Sequence, residues 1–277
     1  MSMENKLRRL QLTQLEILEV IDAFCRSHGL KYSLYAGTLL GAVRHQGFIP
    51  WDDDLDICMS REDYDRFVEL WPKDGLNGYI LQNKENAPRF SQSFSKIRKD
   101  HTTHLQREDT PGAYHTGIFV DVFPIDRIPS PGIAAYLYKW YCMCYQLYTR
   151  EFVPAKSNGV VRLVSSVLLK LIPERKRPAV RKWLLRRITR YNDQRELNTA
   201  AIETMASLRI RYPSDMLDHY VELPFEGKTF MCFADWDEHL KCKFGDYMSL
   251  PPESERVWKH HPIIIDFEKN YEELKEA

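Results

Sequence analysis

The sequence predicts an α+β fold, a mixed-sheet core interrupted by a helical subdomain. Three observations carry that prediction. Residues 32–57, YSLYAGTLLGAVRHQGFIPWDDDLDI, pass from an apolar strand-like run through a Gly-Thr turn and a short helix into an acid-rich strand. Short apolar runs follow at 79–82, 94–99 and 117–123, with the length and punctuation of strands. After Pro129 and Pro131 the spacing becomes helical to about residue 212 and then returns to short strands and turns. The expected division is residues 1–130 for the core with an N-terminal helix and 131–212 for the helical subdomain. Residues 213–277 form a segment that returns to the core and completes the site.

The elements follow in chain order. Leu7, Leu10, Leu15, Leu18, Ile21 and Cys25 recur every three to five residues, so residues 4–28 form an amphipathic helix with Gly29 as its C-cap. A strand at 32–36, a helix at 39–45, a loop through Pro50 and a strand at 55–59 come next. Ser60 is the N-cap of a helix reaching residue 70, with Asp63 at its third position in the manner of a capping box. Helices are expected at 132–152, 160–172 and 175–198, a hairpin turning at Glu226 and Gly227, and a helix at 235–244 stopped by Gly245. The segment from Asp246 to Pro262 is too irregular for a core element.

With 44% hydrophobic and 28% charged residues the chain is globular rather than disordered. Its 39 basic and 39 acidic residues balance, so net charge selects no polyanionic partner and no nucleic acid is expected. Six cysteines without CxxC pairs read as reduced thiols. The N-terminus lacks the apolar core of a signal peptide, and no apolar run reaches the ~18 residues of a membrane span. A cytoplasmic protein is expected. Nine Lys and Arg between Lys170 and Arg190, against Glu174 alone, make that stretch either a solvated face or a contact to the inner face of an anionic membrane or to a polyanionic acceptor.

The chemistry concentrates at Asp54 and Asp56, whose alternation with Leu55 and Ile57 puts both carboxylates on one strand face. Like charges so close call for a cation. The spacing of Asp52, Asp54 and Asp56 matches the start of an EF-hand loop, but Ile57 occupies its glycine position and Asp63 its glutamate position, which excludes it. The pattern fits a nucleotidyltransferase-type site instead. Gly37 and Thr38 provide a phosphate-facing turn at a helix start, Asp54 and Asp56 hold Mg²⁺ or Mn²⁺, and a third carboxylate comes from a later strand. Asp121, between Val120 and Val122, fits that third position, whereas Asp126 beyond Pro124 reads as a turn residue. Arg44, Lys96 and Arg98 are candidate phosphate contacts. No zinc site is visible; His45 reads as a phosphate neighbour or a loop-packing residue, and His260 and His261 read as structural or exposed.

GTLLGAVRHQGFIPWDDDLDI (37–57), SREDYDRF, VDVFPID and FGDYMSLPP together resemble the LicD family, bacterial phosphocholine transferases related to the fukutin group. The resemblance implies a nucleotidyltransferase-like fold and metal-dependent transfer of a phospho-alcohol, foremost phosphocholine, from a CDP-activated donor such as CDP-choline. The acceptor would be a sugar hydroxyl of a teichoic acid, lipopolysaccharide or lipid-linked glycan, and CMP would leave. By position Asp54 and Asp56 resemble the metal ligands, Asp121 the third acid and Asp52 a supporting carboxylate, with Asp53 supporting or solvated. A choline cage would need aromatic faces, for which Trp51, Tyr114, Phe123, Tyr247 and Trp258 are candidates. Asp246 is assigned to substrate, with a turn role as the alternative. Two other readings stay open: a nucleotidyltransferase releasing pyrophosphate from a nucleoside triphosphate, and a catalytically silent glycan-binding protein.

Overall fold

The computed structural model describes residues 3–107, 109–153, 159–258 and 262–276. His260 and His261 lie outside the described residues. Helix α1 (Met3–His28) buries Leu7, Leu10, Leu15, Leu18, Ile21 and Cys25, the stripe its spacing predicts, against the back of the central sheet. That sheet holds β1 (Ser33–Leu34), β2 (Asp56–Ser60), β3 (Tyr79–Gln82), β4 (Ser95–Lys99) and β6 (Phe119–Arg127) in the order β1-β2-β6-β4-β3. Only the β2–β6 pair is parallel. Its crossover carries α3 (Arg61–Asp74), capped as expected by Ser60, whose hydroxyl accepts from the Asp63 amide. Helix α3 runs on through Pro72, past the expected end.

Three short strands escape the sequence reading. β5 (Thr103–Leu105) pairs with β10 (Ile264–Asp266), and β7 (Thr199–Ala201) pairs with the end of β6. Strand β6 itself does not stop at Phe123. It passes through Pro124, which lies after the last β4 partner (Val122) and before the first β7 partner (Ile125), where a missing amide hydrogen costs little. Asp126 is therefore not a turn residue. It is wholly buried on β6 and accepts two bonds from Arg61, at 2.9 and 2.6 Å, and one from Asn192.

The helical segment comprises α4 (Ile133–Arg150), α5 (Gly159–Leu171) and α6 (Arg177–Thr189), the last ending well short of residue 198. The chain then returns through β7, the hairpin β8 (Tyr220–Phe225) and β9 (Lys228–Phe233), α7 (Trp236–Phe244) and α8 (Tyr271–Glu276). The sheet's two faces differ. Ile57, Met59, Ile97, Val120 and Val122 point into the main core with α1 and α3. The other face carries Asp56, Asp121, Lys96 and Arg98 at one end, and Cys58, Phe94, Phe123 and Ile125 at the other, packed on Tyr35, Tyr212 and Phe233.

Candidate active site

Three neighbouring strands bring the site together. Asp56 on β2 is registered against Asp121 on β6, and Asp121 against Lys96 on β4, so three charged side chains stand in one row. Lys96 Nζ lies 2.7 Å from Asp121 Oδ1 and 3.2 Å from the centre of the Phe119 ring. Burial lowers the Lys96 ammonium below the usual lysine range, with Arg98 adding to the effect and Asp121 opposing it. Asp54 lies just ahead of β2, and Leu55 and Ile57 beside it are fully buried, so the alternation is kept although the strand starts one residue late.

Helix α2 (Ala36–His45) begins three residues earlier than its pattern suggests. Gly37 and Thr38 therefore lie in its first turn, not before it. The Thr38 hydroxyl accepts the Asp56 amide at 2.8 Å, and Tyr35 donates to the Asp56 carbonyl, which locks the helix N-terminus to the acidic strand. A Cβ at Gly37 would sit 2.7 Å from Asp52 Oδ2, so only glycine lets that carboxylate approach the helix start.

Oxygens of Asp52, Asp53 and Asp54 lie within 4.8 Å of one another. Asp53 is not solvated, being 3% exposed. Burial, followed by the repulsion of Asp54, Asp121 and Asp52, pushes the Asp56 carboxyl well above the usual carboxylate range, and Lys243 on α7 pulls it down. Clustered carboxylates offering hard oxygen ligands, Asp52, Asp53 and Asp54 foremost, fit a divalent Mg²⁺ or Mn²⁺. Lys243, whose Nζ lies over the Tyr35 ring at 4.3 Å, is a cation near the acids that motif reading missed. No local pattern marks it, because α7 begins 180 residues after Asp56 in sequence.

Other residues singled out from the sequence have different work. Arg98 is turned to partners inside the protein. It is fully buried, donates to Gln82 and the Gly117 carbonyl, and lies 3.9 Å from Asp109. Arg44, at the far end of α2 from Gly37, donates to the Tyr247 and Ser249 carbonyls and holds the GDYMS turn. Tyr247 is buried with its hydroxyl on Asp237, and Asp246 is exposed and accepts from Ser249 within its own turn. Trp51 packs on the main core under Arg256 and beside His45. The five cage candidates do not converge. Phe123 contacts Tyr35 and Phe94, Tyr114 contacts Phe90, and Trp51, Tyr247 and Trp258 belong to the main core.

Beside the acids a cavity of about 140 Å³ is lined by Asp53, Asp54 and Asp121 together with Gln92, Phe94, Lys96, His104, Gln106 and Phe119. His104 is 2% exposed on β5, and burial, Arg98 and Lys96 depress it to about 3, so it is neutral. Neither it nor the two glutamines was singled out from the sequence, since β5 shows no motif.

A mixed sheet with a helix N-terminus at its acidic strand and carboxylates from two adjacent strands defines a nucleotidyltransferase-like phosphotransferase. A family model described as "LicD/FKTN/FKRP, nucleotidyltransferase domain" matches residues 29–133. The chain is 30% identical over 260 residues, 92% of its length and 96% of the relative's, to "Lipopolysaccharide cholinephosphotransferase LicD" of Haemophilus influenzae. It is 42% identical over 64 residues, 23% of the chain and 12% of the relative, to human "Ribitol 5-phosphate transferase FKRP". The chain belongs to the LicD family.

Proposed function

We propose that the protein transfers phosphocholine from CDP-choline to a sugar hydroxyl of a cell-surface glycan precursor, lipopolysaccharide or teichoic acid, and releases CMP. The registered pair Asp56 and Asp121, with Asp54 beside it, carries this reading. The similarity to a lipopolysaccharide cholinephosphotransferase along nearly its whole length supports choline as the alcohol. Asp54, Asp56 and Asp121, with Asp52 and Asp53 grouped beside Asp54, would hold Mg²⁺ or Mn²⁺, which when bound neutralises diphosphate charge. The amides of Gly37 and Thr38 at the start of α2, and Lys243, face the leaving CMP phosphate. Asp121 takes the proton of the sugar hydroxyl, whose oxygen bonds to the choline-bearing phosphorus as the bond to the CMP oxygen breaks. Lys96 balances the Asp121 charge.

The test is CMP release from CDP-choline with and without Mn²⁺. Asp54→Asn is expected to lower it at least a hundredfold, and a folded, fully active variant overturns the metal assignment. Pyrophosphate from CTP, with no CMP from CDP-choline, would replace this reading by nucleotidyl transfer.

A second feature bears on the acceptor. Helix α5 buries none of its residues, and Val160, Leu163, Val167 and Leu171 are more than half exposed. Ile133, Tyr136, Leu137 and Trp140 form an exposed stripe on α4, and Lys182, Trp183, Arg186 and Arg187 are exposed on α6. Apolar stripes rimmed by basic residues fit the surface of an anionic bilayer, where a lipid-linked glycan is presented. No helix among the described residues is long and apolar enough to cross a membrane.

A further inference from the structure

The cavity beside Asp121 contains a buried side chain that the transfer chemistry leaves unexplained. His104 is 2% exposed, and neither of its ring nitrogens makes a hydrogen bond to another described residue. A buried polar group without a partner costs about 1–3 kcal/mol, so a partner from outside the chain is expected there. The ring is held firmly. Its backbone amide donates to the Thr116 carbonyl, β10 flanks its strand, and Phe119 meets the imidazole edge-on at 5.2 Å.

The lining chemistry narrows the ligand. A neutral imidazole has one donor and one acceptor, and the amides of Gln92 and Gln106 likewise offer both. Groups that donate and accept match hydroxyls, which do the same. Phe94 and Phe119 add aromatic faces for an apolar C–H surface.

Position selects between the two substrates. The start of α2, Tyr35 and Lys243 lie on the β1–β2 side of the acid row, whereas Phe94, Lys96 and His104 lie on its β4–β5 side. Displacement at phosphorus is in line, with nucleophile and leaving group on opposite sides. With CMP at α2, the attacking hydroxyl enters from the cavity and meets Asp121 first. We infer that the cavity lined by Gln92, Phe94, His104, Gln106 and Phe119 is the acceptor subsite and takes a single sugar ring whose hydroxyls are read by His104 and the two glutamines. This assignment rests on the donor orientation proposed above.

The experiment measures two bindings to the full chain with Mn²⁺. Methyl glycosides of common hexoses and N-acetylhexosamines are titrated by saturation-transfer NMR in the presence of CMP, and CDP-choline is titrated by calorimetry. At least one glycoside is expected to bind, with its Kd raised tenfold or more by His104→Ala and by Gln106→Ala, and with the Kd for CDP-choline moving far less. Gln106 is only half-buried, so its variant keeps the test valid should His104→Ala fail to fold. No glycoside binding by the unaltered protein, or glycoside binding indifferent to both substitutions, overturns the inference. So does a tenfold rise in the Kd for CDP-choline, which would give the cavity to the donor. Failure of the unaltered protein to bind CDP-choline, with glycoside binding intact, would overturn the donor reading instead.

Discussion

Lys96 and Asp121 face each other across neighbouring antiparallel strands, with 2.7 Å between Nζ and Oδ1 and both side chains buried. The lysine is the positive charge nearest the proposed base, in a row otherwise made of carboxylates. Removing one partner of a buried pair leaves the other charge uncompensated, at about 3–5 kcal/mol. Lys96→Met is expected to lower the urea midpoint accordingly and CMP release at least tenfold. Mn²⁺ should raise its Tm more than it raises that of the unaltered protein, because the ion restores positive charge to the row. Equal Mn²⁺ shifts in the two proteins would show that Lys96 does not balance these acids.

Arg61 and Asp126 tie α3 to the end of β6 by two hydrogen bonds, with the Asp126 side chain wholly excluded from solvent. Asp126→Ala strands the guanidinium, and a loss of about 3–5 kcal/mol in urea denaturation is expected. A loss below about 1 kcal/mol would mean that the pair contributes little to holding the crossover.

His239 on α7 is stacked on Tyr212 at 4.2 Å, and burial, with Lys243 adding, depresses it to about 3. Its value in the unfolded chain is about 6.5. Between those values the unfolded state binds the extra proton, so stability is full above the unfolded value and falls as pH drops towards 3. From pH 7.5 to 5.0 that single group removes about 2 kcal/mol. His239→Phe should lose about 2 kcal/mol less over this interval, read by denaturation at the two pH values, and parallel losses would contradict a neutral buried imidazole.

Arg181 is turned inward, 3.4 Å from Glu151, so the basic face of α6 is narrower than its sequence suggests. The exposed residues to change are Lys182, Arg186 and Arg187. Their joint replacement by Ala should weaken binding to vesicles containing phosphatidylglycerol on the order of a hundredfold, at about 1 kcal/mol per basic residue. Leu163→Asp with Val167→Asp should weaken it as well. Sedimentation with anionic and neutral vesicles reads both, and unchanged binding removes the membrane assignment.

Much of the fold was legible because its signals are local. Helix α1 follows the spacing of its leucines, Ser60 caps α3 through Asp63, and Glu226 and Gly227 turn the β8–β9 hairpin. β5, β7 and β10, three residues each, were not legible, since a strand that short is defined by its partner rather than by its own pattern. Pro124 also misled, because its meaning depends on which neighbours need an amide at that point.

The sequence alone determined the acid pair, the glycine beside it, the third carboxylate as a candidate and the family resemblance, because each is written within a few residues and obeys a period of two or a fixed turn. Only the tertiary structure decided which charges meet. Register across β2, β6 and β4 sets Asp56 beside Asp121 and Asp121 beside Lys96, while Arg98, two residues on along the same face, is buried against Gln82, Gly117 and Asp109. Lys243 and His104 reach the same site from α7 and β5. Contacts between residues so far apart in the chain follow from packing, which no local pattern encodes.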